Sequence, residues 1–148
     1  MTVDVVTDIV IASPIDVVYS YAVDPVNAPH WYSNIASVEW RSDPGVERGA
    51  RVAFVAHFLG RRLEYTYEIV ELLPEQRLVM RTEQGPFPME TTYTWEVVDA
   101  GHTRMVLRNR GEPAGFSRLT APVMEPAMRR ANRKDLRALK LIIETSGG

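Results

Sequence analysis

At 148 residues the chain can bury a real core but is too short for two ordinary domains, so one domain over residues 1–148 is expected. A formal net charge of -2 sets nucleic acid aside as a partner, and the absence of cysteine removes disulfides and thiolate metal sites. The start Met1-Thr2-Val3-Asp4 lacks the basic and apolar regions of a signal peptide and no run reaches membrane-spanning length, so a cytoplasmic protein without stable membrane insertion is expected.

Val3, Val5, Thr7, Ile9 and Ile11 alternate with Asp4 and Asp8, the period of a half-buried first strand. Ser13-Pro14-Ile15-Asp16 then reads as a helix start: Ser13 caps the first amides, Pro14 takes the first helical position, and Asp16 completes a capping box. Asp24-Pro25 repeats the device and opens a second short helix that ends at His30-Trp31. A second strand spans residues 36–42, with Val38 and Trp40 on one face and Ser37, Glu39 and Arg41 on the other, closed by Asp43-Pro44-Gly45.

Residues 51–59 and 62–72 form the clearest hairpin, joined at Gly60-Arg61 as a type II′ turn with glycine first. In that register Leu59 pairs with Arg62, Phe58 faces Leu63, Ala56 faces Tyr65, Phe54 faces Tyr67 and Val52 faces Ile69, all on one side. The other side carries His57 opposite Glu64 and Val55 opposite Thr66. Residues 77–83 make a fifth strand whose two adjacent apolar residues, Leu78 and Val79, leave its facing open. Gly85-Pro86-Phe87-Pro88 is a stiff loop within the sheet.

Residues 89–97 alternate Thr91, Tyr93, Trp95 and Val97 against Glu90, Thr92, Thr94 and Glu96. Residues 103–110 set Met105, Leu107 and Asn109 against Arg104, Arg108 and Arg110. From about Phe116 to Glu144 the spacing turns helical: Met124, Met128, Ala131, Leu136, Leu139 and Ile143 form the apolar stripe, and Arg130, Arg133, Lys134, Arg137 and Lys140 lie elsewhere. Pro122 and Pro126 should bend this helix or delay its start. A strand, two short helices, a run of strands and one long final helix is the order of a sheet wrapped around a helix, which points to a cavity.

Val17, Val18 and Tyr19 after Ser13-Pro14, the run Asp24-Pro25-x-Asn27-x-Pro29-x-Trp31, and the terminal residues Asp135 to Glu144 resemble the START-like (SRPBCC) superfamily, within it the polyketide cyclase/dehydrase type. The resemblance covers nearly the whole chain. It implies an α+β helix-grip fold, a curved antiparallel sheet of about seven strands around the C-terminal helix with two short helices after the first strand. It also implies that the helix ending at Trp31 edges the cavity entrance. Members include lipid carriers, plant-hormone and alkaloid binders, aromatase/cyclases and chaperone activators, so the resemblance fixes the shell more than the function.

The strand assignments gather Trp40, Phe54, Phe58, Tyr65, Tyr67, Thr91, Tyr93, Trp95, Met105 and Asn109 on one inner face. Singly such aromatics are core residues; together they bring hydroxyl and indole donors that need partners when buried. Trp31, by resemblance, and Met124 and Met128, whose flexible thioethers adapt to varied shapes, complete the candidate ligand-binding set. His30, His57 and His102 lack companions at metal-ligand spacing, and no nucleophile elbow or phosphate-binding glycine loop is present, so no metal or cofactor is expected. Carboxylates of the well-read strands point outward, leaving tyrosines, Asn109 and Glu83 for acid–base work. The basic run Arg129 to Lys134 reads as the wet back of the helix.

Binding of a small hydrophobic or aromatic molecule, such as a lipid, polyketide or isoprenoid, between sheet and helix is the first functional expectation. A polyketide cyclase or dehydratase working through cavity tyrosines and water is the second, and a chaperone-activator role using the surface the third. The sequence sets no oligomeric state.

Overall fold

The computed structural model describes residues 3–85, 88–112 and 121–146. Phe116, Pro86 and Phe87, which entered the expectations above, lie outside the described residues. β1 (Val3–Ile11) buries Val3, Val5, Thr7 and Ile11 and turns Asp4, Val6, Asp8 and Val10 outward, as its alternation requires. Helices α1 (Ile15–Ala22) and α2 (Ala28–Trp31) follow, the second entered through a 3-10 turn at Pro25–Asn27. Then come β2 (Ile35–Trp40), β3 (Arg51–Phe58), β4 (Arg61–Leu73), β5 (Arg77–Gln84), β6 (Met89–Asp99), β7 (His102–Gly111) and α3 (Ala121–Ser146). The seven strands make one antiparallel sheet in the order β1-β7-β6-β5-β4-β3-β2. Register shifts in β2, in β4 and near the end of β6 are bulges of the kind that bend and twist strands, and the sheet curls around α3 in the helix-grip arrangement.

Several local expectations need correction. Ser13 caps nothing: α1 starts one residue later, Pro14 is its N-cap, and the carbonyl of Pro14 accepts from Val17 and Val18. The carbonyl of Ser13 instead accepts from the buried Thr103 hydroxyl at 2.8 Å, tying the helix start to β7. At the second helix start the expected device is present, the Asp24 side chain accepting from Val26 N–H at 3.0 Å.

The β3–β4 register is displaced by two residues from the expected one. Phe58 pairs with Arg61, Phe54 with Tyr65, and Val52 with Tyr67. The turn is Leu59-Gly60, with φ of 50° and 75°, and two positive φ values are the signature of a type I′ turn. Glycine therefore occupies the second central position, and leucine bears a left-handed conformation that side chains disfavour. A shift of two preserves face, so Phe54, Tyr65 and Tyr67 still point inward. His57 lies opposite Arg62 rather than Glu64, and Glu64 pairs with Arg62 at 3.1 Å.

On β5 the open facing resolves with Leu78 and Met80 in the main core. Glu83 is turned outward to Arg51 at 3.4 Å, which removes it from the inner acid–base candidates. α3 neither begins after Pro126 nor stops there: it runs from Ala121 with Pro126 inside it.

β1 is an edge strand, and side chains of α3 bond four backbone groups along it and just past its end. Glu125 accepts from Asp4 N–H at 3.1 Å and Glu144 from Ala12 N–H at 2.7 Å, while Lys140 donates to Val10 O at 3.1 Å and Arg129 to Val6 O at 3.4 Å. Covering an edge in this way blocks strand addition by another chain. No described helix is long and apolar enough to cross a membrane.

Candidate ligand cavity

Between the inner face of the sheet and α3 lies a cavity of about 160 Å³. Strand alternation supplies one wall: Phe54 and Phe58 from β3, Leu63, Tyr65 and Tyr67 from β4, Thr91 and Tyr93 from β6, and Asn109 from β7. Helical spacing supplies the opposite wall, Met124, Met128, Ala131, Asn132 and Asp135, and Tyr32 closes one end just after α2. Ring contacts lock the aromatic side, with Phe54 stacked on Tyr65 at 5.5 Å and Tyr67 edge-on to both.

Four expected members stand elsewhere. Trp31, Trp95 and Met105 are 2%, 3% and 0% exposed in the packed core, and Trp40 packs on that core from edge strand β2. For Trp95 the reason is α1, which covers that stretch of sheet, Tyr19 meeting Trp95 edge-on at 5.0 Å; Trp31 lies against Tyr32 at 4.0 Å. Trp31 and Trp95 both contact the Tyr93 ring at 5.9 Å, so they back the cavity wall without reaching its surface.

Five polar residues of the wall form two short chains. Thr91 donates to Asn109 Oδ1 at 2.8 Å, so its single proton is committed and Tyr67, 2.8 Å away, donates to Thr91 Oγ1. Tyr32 and Tyr93 share one hydrogen bond of 2.6 Å between hydroxyls, which leaves one of their two protons without an acceptor in the pair. Burial pushes all these phenols up, Tyr67 to about 12 and Tyr32, Tyr65 and Tyr93 well above their ordinary value. They are hydrogen-bond donors at neutral pH and poor bases.

Asp135 is the group that sequence reasoning missed as an inner residue. It is 1% exposed, and its Oδ1 accepts from Ser33 N–H at 3.0 Å and from the Ser33 hydroxyl at 3.1 Å. Burial raises its pKa; the two Ser33 bonds and the nearby Lys134 charge pull the other way without cancelling the effect. The signal was present in the spacing: Met124, Met128, Ala131 and Asp135 recur every three or four residues, and Asn132 sits one step along the same stripe. Tyr32, just past a helix end, carried no such periodic mark.

A family model described as polyketide cyclase/dehydrase and lipid transport matches residues 2–144. No match was found among curated proteins. Among the solved structures that share the fold are the following three. A Thermus thermophilus protein has TM-score 0.82 and 22% identity, covering 98% of this chain and 99% of that one. The Zhui aromatase/cyclase from a Streptomyces species has TM-score 0.80 and 18% identity, with coverage of 97% and 94%. A START superfamily protein from Mycobacterium smegmatis has TM-score 0.82 and 13% identity, with coverage of 96% and 97%. With the model matching almost end to end and the helix-grip architecture in place, the chain belongs to the polyketide cyclase/dehydrase and lipid transport family.

Proposed function

We propose that the protein binds a small, largely apolar molecule of one or two rings, or a short acyl chain, in the cavity between sheet and α3. The observation that carries this is the cavity itself: about 160 Å³ walled by Phe54, Tyr65, Tyr67, Tyr93, Met124 and Met128, with few polar groups. An apolar void of ~150 Å³ is large enough to take up a benzene-sized ring, and mostly apolar walls with a few placed polar groups characterise small-molecule sites. Removing roughly 200 Å² of ligand surface from water yields on the order of 5 kcal/mol at ~25 cal/mol per Å² before ordering costs. A chaperone-activator role on the surface needs no interior space, and the cavity counts against it. The test is native mass spectrometry of protein purified without denaturant, followed by extraction and by titration with ring compounds while tryptophan emission is read. Trp31 and Trp95 lie against Tyr93 and report on its surroundings. Silence across a broad apolar panel in both emission and melting temperature refutes the reading.

A cyclase or dehydratase role is favoured by Asp135, a carboxylate in the cavity wall with a raised pKa, near the tyrosine pair Tyr32–Tyr93. In this reading Asp135 takes a proton from a carbon beside a ketone while the free tyrosine proton steadies the enolate oxygen. Deuterium uptake from heavy water into a bound diketone, lost in Asp135→Asn, supports it; uptake unchanged by that substitution excludes it.

A further inference from the structure

Asn132 and Asp135 sit three residues apart on α3, one above the other on the face that lines the cavity. Asn132 is 6% exposed, and its Nδ2 is buried with no hydrogen-bond partner. A native protein rarely tolerates this, because an unmet buried donor costs about 1–3 kcal/mol. On Asp135, Ser33 occupies Oδ1 twice, and among the described residues Oδ2 has no hydrogen-bond partner. One turn of helix thus carries an unmet amide donor and a carboxylate oxygen without a partner on two residues that both line the void.

We propose that this pair is a subsite that reads a ring hydroxyl: Asn132 Nδ2 donates to the hydroxyl oxygen, and the hydroxyl proton is given in a hydrogen bond to Asp135 Oδ2. The inference rests on the cavity being a binding site and specifies the class of molecule it selects. A ketone satisfies Asn132 but sets its lone pairs against the Asp135 carboxylate. An ammonium satisfies Asp135 and meets Asn132 donor to donor, and a carboxylate is repelled by Asp135. A hydroxyl group both accepts and donates at a single oxygen, which lets two side chains one turn apart converge on it. The ring it is attached to then lies toward Tyr65, Phe54 and Tyr67.

The test compares naphthol with methylnaphthalene, nearly equal in shape, and with naphthylmethylamine, on the full-length protein and on Asn132→Leu and Asp135→Asn. The quantity read is the preference for naphthol over methylnaphthalene, since each ligand's own hydration cancels between wild type and variant. Each variant is expected to lower that preference on the order of tenfold, with methylnaphthalene affinity within about twofold of wild type. Asn132→Ala replaces the leucine variant if leucine does not fit. If methylnaphthalene binds and the preference is the same in all proteins, the subsite is overturned while the cavity reading stands. If no ring compound binds the wild type, both fall. If naphthylmethylamine is the best ligand and only Asp135→Asn weakens it, Asp135 is a cation site and the hydroxyl assignment is wrong.

Discussion

Filling the cavity should make the protein more stable and less able to bind. Ala131 lines the void from α3, and leucine is nearly as good a helix former as alanine, so Ala131→Leu adds volume with little backbone cost. Leaving about 160 Å³ empty forgoes ~4 kcal/mol at ~24 cal/mol per Å³, which is the ceiling on what filling can return. Three added carbons contribute ~2.4 kcal/mol at ~0.8 each, and ordering the leucine side chain costs about 0.5–1 kcal/mol. The expected gain is about 1 to 2 kcal/mol. It is read as a higher urea midpoint at unchanged slope and a melting temperature higher by roughly 4 °C per kcal/mol. Affinity for methylnaphthalene should fall at least about tenfold, because the leucine occupies its place. A loss of more than about 1 kcal/mol at unchanged slope would mean that Ala131 already touches its neighbours, as overpacked sites do, and would refute an open void at this position.

Three further outcomes follow from particular residues. Leu59→Asn, at φ 50° ahead of Gly60, should stabilise the β3–β4 hairpin by about 0.5–1 kcal/mol in urea unfolding, since Asn-Gly suits a type I′ turn; destabilisation would contradict the turn assignment. His57 is exposed, and its backbone N–H bond to Asn34 O at 2.8 Å survives truncation, so His57→Ala should change stability by less than about 0.5 kcal/mol and leave ring binding alone; a tenfold loss of binding would place it in contact with ligand. The pKa of Asp135 is raised in the folded protein, so between the unfolded value of 3.8 and the folded one the native state holds more protons than the unfolded chain, and stability falls as pH rises through that window. Asp135→Asn removes this loss: its stability relative to wild type should climb as pH rises above 3.8 and then level off, and a flat or falling difference would refute the burial argument.

Strand faces were legible because alternation is a property of each strand alone, whereas pairing depends on the turn between two strands. The turn is where expectation and structure differ: Gly60 suits either central position by conformation, and Leu59 gives no hint that it adopts positive φ. The register differs by two residues, so the inner set Phe54, Tyr65 and Tyr67 is the same in both. Trp95 and Met105 show the complementary limit. They share the inner face with Thr91 and Tyr93, and only the docking of α1 over their end of the sheet separates packed core from cavity wall. No pattern within β6 or β7 encodes where another element lands.

α3 explains why apolar periodicity does not reveal the polar part of the site. Side chains from both halves, Glu125, Arg129, Lys140 and Glu144, bind the β1 edge, but the later half carries the apolar anchoring, with Leu136, Leu139 and Ile143 at 1%, 0% and 2% exposure in the main core. Its earlier half, from Met124 to Asp135, faces the void. Anchoring there would favour leucine or isoleucine at positions 132 and 135; instead an amide with an unmet donor and a desolvated carboxylate are held in the buried stripe, each at a cost to folding. Residues that weaken the fold where apolar ones would strengthen it are the places where local consistency yields to a site. The two halves should therefore respond differently to substitution. Apolar replacements at Asn132 should keep or raise stability while changing which ring compounds bind. Leu139→Ala should cost about 2–5 kcal/mol, as large-to-small changes in a packed core do, and alter binding only as the fold is lost. If Asn132→Leu proves as destabilising as Leu139→Ala, the division of α3 into an anchoring half and a binding half is wrong.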